Sequence, residues 1–412
     1  MAYARHEVVY DLAATGIDEP KRTALIDILV AEKAETRMRK KIWGNLPAFS
    51  PQAPVTDRLS IASVRGWRLR EPVSGRRYTV LRLETRGGLV GYGEGGPATI
   101  AEIGEAKTAA TDRRPNETEF IRHRLAATPA MEAAVNCAFL DLLGKDTKTP
   151  VYQFLGGPTR FKARVLAHID GSTEDTLAAP MRRAVEQGFR AFTVPIPTRD
   201  SLWRMQAYVD AVRARIERVR GLAGRDQEFV LDAAASLTPG DAAMLATALE
   251  KDHLMWFDEP TSVLTNDGLA RIADESVMPL GMGRGVTEIS AFQNLLRWGS
   301  IDLLRPSLGL NSISKIKRMA AIAETHYVAV APYHDGGPIA TAAGIHLAAS
   351  LPNFFIQQIP FPASERDAAM RAEITFGNQE TAKDGFAALR NRPGFGIDVD
   401  ERALDRYSEE RV

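Results

Sequence analysis

The feature that most constrains the fold is a regular alternation of short β-rich runs with helical runs, which begins near residue 163. Helical periodicity fills the seven gaps between eight β-rich runs. This alternation predicts an α/β fold, and eight strands with seven helices favour a (β/α)7β TIM-like barrel. An eight-stranded doubly wound sheet is the structural alternative. The starts of the runs are 22 to 37 residues apart, at residues 163–169, 191–196, 228–232, 254–258, 279–283, 301–306, 328–333 and 354–359.

The segment before this alternation has a different pattern. Residues 78–84 alternate apolar and polar side chains, Gly87 and Gly88 supply a turn, and residues 89–94 return, which predicts a β-hairpin. The glycines at 91, 93, 95 and 96 lie within or just after this hairpin rather than in a βαβ unit, so they do not indicate a dinucleotide loop. Residues 101–145 have helical periodicity.

Charge and cysteine content exclude several classes of protein. The 52 basic and 52 acidic residues cancel, which removes the whole-chain electrostatic argument for nucleic acid or an anionic membrane as a partner. Cys137 is the single cysteine, so an internal disulfide and a Cys-rich zinc module are excluded. No apolar run approaches the roughly 18 residues that span a bilayer. Without a secretory signal pattern at the N-terminus, the expected location is the cytoplasm.

The ends of the predicted strands indicate where a site would lie. In barrels of this kind the carboxyl ends of the strands form the active-site mouth. Two successive strands deliver carboxylates there, and converging carboxylates need a cation, a proton or a basic partner. The alternative for any one of these residues is an ordinary loop residue that caps a helix. In strand order the ends carry His168 and Asp170, Thr193 and Pro195, Asp232, Asp258 and Glu259, Arg284, Arg305 and Ser307, Tyr333 to Asp335, and Gln357 and Gln358.

The cation for Asp232 and Asp258 could be of two kinds. Magnesium would satisfy the carboxylates with oxygen ligands. Arg284, which arrives from the next strand, would satisfy them through paired hydrogen bonds.

Several motifs between residue 57 and the end of the chain belong to one known pattern. They are the hairpin ending at Gly91-Tyr-Gly-Glu-Gly, the segments at 138–145 and 150–157, Gly188-Phe-Arg-Ala, Trp256-Phe-Asp-Glu-Pro, residues 331–340 and the closing segment at 391–400. Together these motifs resemble the enolase superfamily, in its mandelate racemase and muconate-lactonizing branch.

The resemblance implies an α+β capping domain, formed by N- and C-terminal segments, over the barrel. The expected domains are a partly helical extension at 1–56, a cap at 57–160 plus 366–412, and a barrel at 161–365. Members of the family bind magnesium with three acidic residues on strands three, four and five. A base, usually lysine or a His-Asp dyad, removes the proton α to a carboxylate. The resemblance implies a small carboxylate such as a sugar acid as substrate, and a homo-oligomer.

Position by position, the sequence departs from the family pattern. The first ligand position holds Asp232 and the second holds Asp258, but the third holds Arg284, a cation where the family has an acid. The strand-two lysine positions hold Thr193 and Pro195, and the strand-six aspartate position holds Ser307. Tyr333 stands at the strand-seven histidine position, with His334 displaced by one residue, and Gln358 replaces the usual glutamate.

These departures predict that magnesium does not bind at the usual position, because Arg284 would repel it. Arg284 paired with Asp232 and Asp258 is the simplest neutral arrangement, and its guanidinium could bind a substrate carboxylate. A magnesium dehydratase with shifted ligands, Asp232, Asp258, Glu259 and Glu288, is the alternative within this class.

Two hypotheses about function follow. In the first, the chain is an enzyme, either a sugar-acid dehydratase (a lyase) or a racemase or isomerase, in which Arg284 acts with Tyr333 or His334 as the proton-transfer group. A tyrosine pKa depressed by arginine would support that role. His168, Thr193, Arg305 and Gln358 are then assigned to substrate binding. In the second, the chain is an inactive paralogue that binds a small anion or a partner subunit. Arg76 and Arg77 on a cap loop could meet an anion, although exposed loop arginines usually do not.

Overall fold

The structure, a computed structural model, describes residues 57–171, 173–199, 204–376 and 380–411. The prediction of a partly helical extension at residues 1–56 lies outside the described residues.

The predicted hairpin belongs to a four-stranded antiparallel sheet. Its strands are β1 (Ile61–Arg70), β2 (Arg77–Thr85), β3 (Val90–Gly95) and the C-terminal β13 (Ser408–Arg411), in the order β13-β1-β2-β3. The first and last parts of the described chain therefore share one sheet, as the resemblance implied. Four helices follow β3 along the chain: α1 (Ile100–Ala110), α2 (Thr118–Arg124), α3 (Pro129–Asp146) and α4 (Val151–Phe154).

Glycines in β3 let helix α3 pack directly against the sheet. A Cβ atom at Gly93 would lie 2.0 Å from the carbonyl oxygen of Ala134, and one at Gly95 would lie 2.0 Å from that of Ala130. No larger side chain fits at such distances without moving the helix. These glycines therefore serve close packing of a helix on a strand, which agrees with the rejection of a dinucleotide loop.

Eight parallel strands form the barrel. They are β4 (Lys162–His168), β5 (Ala191–Pro195), β6 (Glu228–Asp232), β7 (Phe257–Asp258), β8 (Leu280–Met282), β9 (Leu303–Leu304), β10 (Ala329–Val330) and β11 (Gln357–Pro360). Each pairs in parallel with the next from β4 to β10, and β11 pairs with β4. A parallel bridge between Val330 and Phe354, together with a hydrogen bond from Gln358 N to Pro332 O, joins the last strand to the seventh and closes the barrel.

Helices connect successive strands on the outside of this barrel. They are α5 (Glu174–Glu186), α6 (Met205–Ala223), α7 (Pro239–Ala248), α8 (Asn266–Glu275), α9 (Ile289–Trp298), α10 (Ile313–Thr325) and α11 (Pro338–Ala348), with a short 3₁₀ turn at Glu250–Asp252. The predicted TIM-like barrel is confirmed, and the doubly wound alternative is wrong because the sheet closes. Its interior is packed with apolar side chains: Leu166, Ala191, Val230, Trp256, Leu303, Ala331 and Ile356.

The C-terminal segment leaves the barrel and returns to the antiparallel sheet. After α12 (Glu365–Ile374), strand β12 (Phe386–Ala388) pairs antiparallel with β4, and helix α13 (Glu401–Tyr407) reaches β1. Trp67 Nε1 in β1 donates a hydrogen bond to Asp405 at 2.8 Å. The cap is thus built from both ends of the described chain. Among the described residues, no helix is both long and apolar enough to cross a membrane.

Candidate active site

Three of the predicted site residues meet at the carboxyl ends of neighbouring barrel strands. Asp232 is the last residue of β6, Asp258 is the last residue of β7, and the two lie opposite each other in the parallel register. Arg284 follows the end of β8 by two residues. Its side chain lies between the two carboxylates, because each strand of a barrel delivers its terminal residues to the same mouth.

The guanidinium of Arg284 makes the predicted pair of contacts. Its Nη1 lies 3.1 Å and 3.0 Å from the two oxygens of Asp232, and its Nη2 donates to Oδ2 of Asp258. Asp258 is fully buried and Asp232 nearly so, whereas 12 % of the Arg284 side chain stays exposed. Charge-assisted bonds of this kind satisfy buried carboxylates that would otherwise be costly. The pairing predicted from the sequence is therefore present.

Arg305 lies deeper in the barrel than Arg284. Its side chain is fully buried, with Nε at 2.9 Å from Asp258 Oδ1 and Nη2 at 3.1 Å from Oδ2. It also donates to the carbonyl oxygen of Ala331 at 2.6 Å and to Oε1 of Gln358. The sequence-based assignment of Arg305 and Gln358 to substrate binding does not fit this placement. Both side chains are buried, and both bind protein groups below the mouth.

The electrostatics of this group follow from the pairing. Burial alone would raise the pKa of Asp232, but Arg284 and then His168 outweigh it and hold that pKa below its usual value. Burial lowers the pKa of Arg305, and the charge of Asp258 offsets only part of that lowering. Two arginines thus face two aspartates, and the four side chains have no net charge.

His168 connects the Arg284–Asp232 pair to the rim of the mouth. Its Nε2 lies 3.0 Å from Asp170 Oδ1, and its Nδ1 lies 3.7 Å from Asp232 Oδ2 with no hydrogen-bond partner among the described residues. Burial alone would lower the pKa of His168, but Asp170 and then Asp232 outweigh it, so the pKa is raised. Thr193, the other mouth residue assigned to substrate, accepts a hydrogen bond from the amide of Ile169 at 3.0 Å and is fully buried. His168 keeps a place in the candidate site, whereas Thr193 supports the strand end.

Tyr333 lies beside the arginines, but its chemistry differs from the expectation. Its ring centroid is 4.7 Å from the guanidinium carbon of Arg284 and 5.9 Å from that of Arg305. Burial and the nearby Asp335 raise the pKa of Tyr333 well above its usual value, and Arg284 offsets only part of that rise. The expectation of a depressed tyrosine pKa is wrong, because loss of hydration outweighs the arginine. A neutral phenol is a poor base near neutral pH.

His334 faces away from this group of charges. It is fully buried, its Nε2 lies 3.2 Å from Thr341 Oγ1, and its Nδ1 accepts a hydrogen bond from Gly336 N at 3.3 Å. Burial, with Arg371 and Arg76 nearby, lowers the pKa of His334 well below its usual value. The assignment of His334 to proton transfer does not fit, because both of its ring nitrogens are engaged by Gly336 and Thr341.

Glu259, a ligand only in the shifted-ligand alternative, lines the cavity beside Arg284. Its Oε1 accepts hydrogen bonds from the amides of Gly283 at 2.6 Å and Arg284 at 2.7 Å. Its backbone is left-handed, with φ of 44°. Burial and then Asp258 raise the pKa of Glu259 to about 7. The cavity has a volume of about 400 Å³, and its other lining includes Ala234, Ala235, Thr261, Ser262, Leu264 and Val286.

The mouth does not fit a magnesium ion at Asp232 and Asp258. All four carboxylate oxygens of these residues accept guanidinium bonds from Arg284 or Arg305. Magnesium requires oxygen ligands that are free to face it. Within the described parts of the chain, no three His, Cys, Asp or Glu side chains are grouped so as to hold a metal ion. The alternative with Glu259 and Glu288 as shifted ligands does not fit either.

A second cluster of charges joins the cap to the barrel mouth. Arg76, on the loop between β1 and β2, contacts Glu71 at 3.0 Å, Asp170 at 2.5 Å and Asp335 at 2.6 Å. Only 3 % of its side chain is exposed, so the expectation of an exposed loop arginine is wrong for Arg76. Arg371 continues the cluster through Glu71. Since Asp170 also contacts His168, the cap loop and the mouth belong to one connected network of ion pairs.

Comparisons with known proteins agree with this architecture. The model of the mandelate racemase/muconate lactonizing enzyme N-terminal domain matches residues 68–156, and that of the enolase C-terminal domain-like family matches residues 176–403. Among solved structures, a mandelate racemase/muconate lactonizing enzyme-like protein from Rubrobacter xylanophilus has a TM-score of 0.75 at 22% identity, over 86% of this chain and 98% of that one. This likeness concerns the fold.

Curated relatives are similar at the level of sequence. The D-mannonate dehydratase of Caulobacter vibrioides is 29% identical over 309 residues, which are 68% of this chain and 75% of the relative. The D-galactonate dehydratase of Verminephrobacter eiseniae is 28% identical over 341 residues, 79% of this chain and 89% of that protein. With both family models matched across most of the described residues, the chain belongs to the mandelate racemase/muconate lactonizing enzyme family of the enolase superfamily.

Proposed function

We propose that the chain binds a small carboxylate of the sugar-acid class at the barrel mouth and catalyses its dehydration. The observation that carries the proposal is the position of Arg284, whose side chain is 12 % exposed and lines a cavity of about 400 Å³. A guanidinium suits a planar carboxylate, and cavities of this size hold small ligands. The similarity to D-mannonate and D-galactonate dehydratases supports the choice of substrate class.

The proposed reaction is a β-elimination. A base takes the proton on the carbon next to the carboxylate, and the C–H electron pair forms a carbon–carbon double bond. The β-hydroxyl group leaves with a second proton as water, and the resulting enol becomes a 2-oxo acid. Arg284 holds the substrate carboxylate and offsets the charge that develops on it. No step depends on a metal ion.

Two groups at the mouth have pKa values raised above their usual ones, which suits them to proton transfer. The pKa of Glu259 is raised to about 7, and Glu259 lies in the same cavity as Arg284. The pKa of His168 is also raised, and its Nδ1 has no hydrogen-bond partner among the described residues. We assign Glu259 and His168, instead of Tyr333 and His334, as the candidate proton-transfer groups.

Carboxylate binding without turnover is the second candidate function. It is favoured by the saturation of Asp232 and Asp258 with arginine contacts, which leaves neither carboxylate free to act as a base. In this case Arg284 would still bind the ligand, but no water would be lost from it.

Proton NMR in D₂O with EDTA tests the two candidates with D-mannonate and D-galactonate. Dehydration predicts a 2-keto-3-deoxy product, or at least exchange of the α-proton for deuterium. Arg284→Gln should abolish the reaction, whereas Arg297→Gln, at an exposed arginine on α9, should retain it. Saturable binding by calorimetry without any product or exchange would favour the second candidate. If neither acid binds or reacts, both candidates are wrong for these substrates.

A further inference from the structure

We infer that Arg284 is a built-in cation in the place of a metal ion, and that replacing it with an acidic residue lets Asp232 and Asp258 bind a divalent cation. The inference concerns how the mouth balances its charge. It is therefore independent of whether a sugar acid is bound or dehydrated.

The geometry of the two carboxylates supports this role for Arg284. Both oxygens of Asp232 lie within 3.1 Å of a single guanidinium nitrogen, Nη1, and the second nitrogen donates to Asp258. One planar cation therefore bridges carboxylates from two adjacent strands. A divalent ion bound to the same oxygens would have to share this space with the guanidinium.

Burial explains why a cation is needed at this position. Asp258 is fully buried, and 4 % of the Asp232 side chain is exposed. Buried carboxylates require a counter-charge. Arg305 supplies one through its two contacts with Asp258, but its hydrogen bonds go to Asp258, Ala331 and Gln358 and not to Asp232. Removal of Arg284 would leave Asp232 with His168 at 3.7 Å but without the guanidinium that contacts both of its oxygens, and a divalent ion could take that place.

The backbone at position 284 is held in a way that would present an acidic side chain to the same place. The amide of Arg284 donates to Glu259 Oε1 at 2.7 Å, and the preceding amide of Gly283 donates to the same oxygen. These bonds involve the main chain, so they remain when the side chain changes. A glutamate there would bring a third carboxylate toward Asp232 and Asp258, and carboxylate oxygens are the ligands that Mg²⁺ and Mn²⁺ prefer.

Binding of Mn²⁺, measured by electron paramagnetic resonance of the free ion and by calorimetry, tests the inference. Arg284→Glu should bind one Mn²⁺ per chain with a dissociation constant of about 1 mM or lower, and Mg²⁺ should compete. The wild-type chain and Arg284→Gln should bind at least ~10-fold more weakly. Arg297→Glu makes the same charge change on the exposed face of α9, and it should behave as the wild type.

Three outcomes would overturn the inference. The first is wild-type binding of Mn²⁺ as tight as that of Arg284→Glu. The second is an Arg284→Glu variant that has native circular dichroism but binds no Mn²⁺. The third applies if that variant is unfolded without metal. Addition of Mn²⁺ should then restore its thermal unfolding transition, and failure to restore it would overturn the inference. A glutamine variant without metal binding would show that the added carboxylate, and not the loss of arginine alone, creates the site.

Discussion

The guanidinium of Arg305 contacts both carboxylate oxygens of Asp258, at 2.9 Å and 3.1 Å, with both side chains fully buried. This pair lies below the Arg284 contacts and above the apolar filling of the barrel, where the ring centroid of Trp256 is 5.4 Å from the Arg305 guanidinium carbon. Ion pairs this deep are costly to break from one side, because the remaining charge loses its partner without regaining water. The pair therefore links the charge balance of the mouth to the stability of the barrel.

Truncation of one member of this pair should destabilise the fold strongly. Arg305→Met leaves Asp258 with Arg284 alone, and we expect the free energy of unfolding to fall by about 3–5 kcal/mol. Urea denaturation monitored by circular dichroism measures the change. The double variant Arg305→Met with Asp258→Leu removes both charges and should recover most of the loss. A single variant within about 1 kcal/mol of the wild type would contradict a structural role for Arg305.

Arg76 should matter to stability in the same way, although it lies on a loop. Its side chain is 3 % exposed and contacts three carboxylates, of which Glu71 is also buried. Arg76→Gln should lower the free energy of unfolding by about 3–5 kcal/mol. The neighbouring Arg77 is 52 % exposed and lies 3.4 Å from Glu409, so Arg77→Gln should cost less than about 1 kcal/mol. Equal effects of the two variants in urea denaturation would refute the contrast.

The sequence predicted the parts of this molecule that depend on local pattern and on strand topology. Strand ends were enough to bring Asp232, Asp258 and Arg284 together, since parallel strands of a barrel share one mouth. The burial of Arg76 was missed because its partner Asp335 is 259 residues away, and no local pattern reports such a contact.

Side-chain directions at the strand ends were harder to predict than the strands themselves. Its place at a strand end predicts that His334 lies in the mouth, whereas its ring contacts Gly336 and Thr341. The sequence offers Glu259 only as an alternative metal ligand, because no local pattern reports the left-handed backbone that takes it out of strand alternation and into the cavity. The raised pKa of Tyr333 depends on burial, which the neighbouring arginine alone did not reveal.

His168 and His334 should titrate in different pH ranges, His168 above pH 6.5 and His334 well below it. Asp170 and Asp232 raise the pKa of His168 above 6.5 despite burial, whereas burial lowers that of His334. A raised folded-state pKa means that His168 stabilises the fold fully below pH 6.5, and that this contribution is lost as the pH rises through the folded-state value. Long-range ¹⁵N NMR of histidine-labelled protein, assigned with His168→Gln and His334→Gln, should show His334 neutral between about pH 5 and 8. A titration midpoint below pH 6.5 for His168 would contradict the effect of Asp170 and Asp232 on its pKa.

Glu259 should make the fold less stable as the pH rises through the weakly acidic range. Its pKa is raised from 4.5 to about 7, by burial first and then by Asp258. Between these values the folded chain keeps a proton that the unfolded chain has released, so the free energy of unfolding decreases with pH and levels off above about 7. Glu259→Gln can still accept the two amide hydrogen bonds but has no proton to lose. At pH 8 it should be more stable than the wild type by up to about 3 kcal/mol, and at pH 4.5 the two should be nearly equal.

Glu324→Gln, at an exposed position on α10, should change stability by less than about 0.5 kcal/mol. Urea denaturation between pH 4.5 and 8 measures the free energy of unfolding of both variants. If Glu259→Gln differs from the wild type by the same amount at every pH, the carboxyl group of Glu259 does not titrate in the cavity as described.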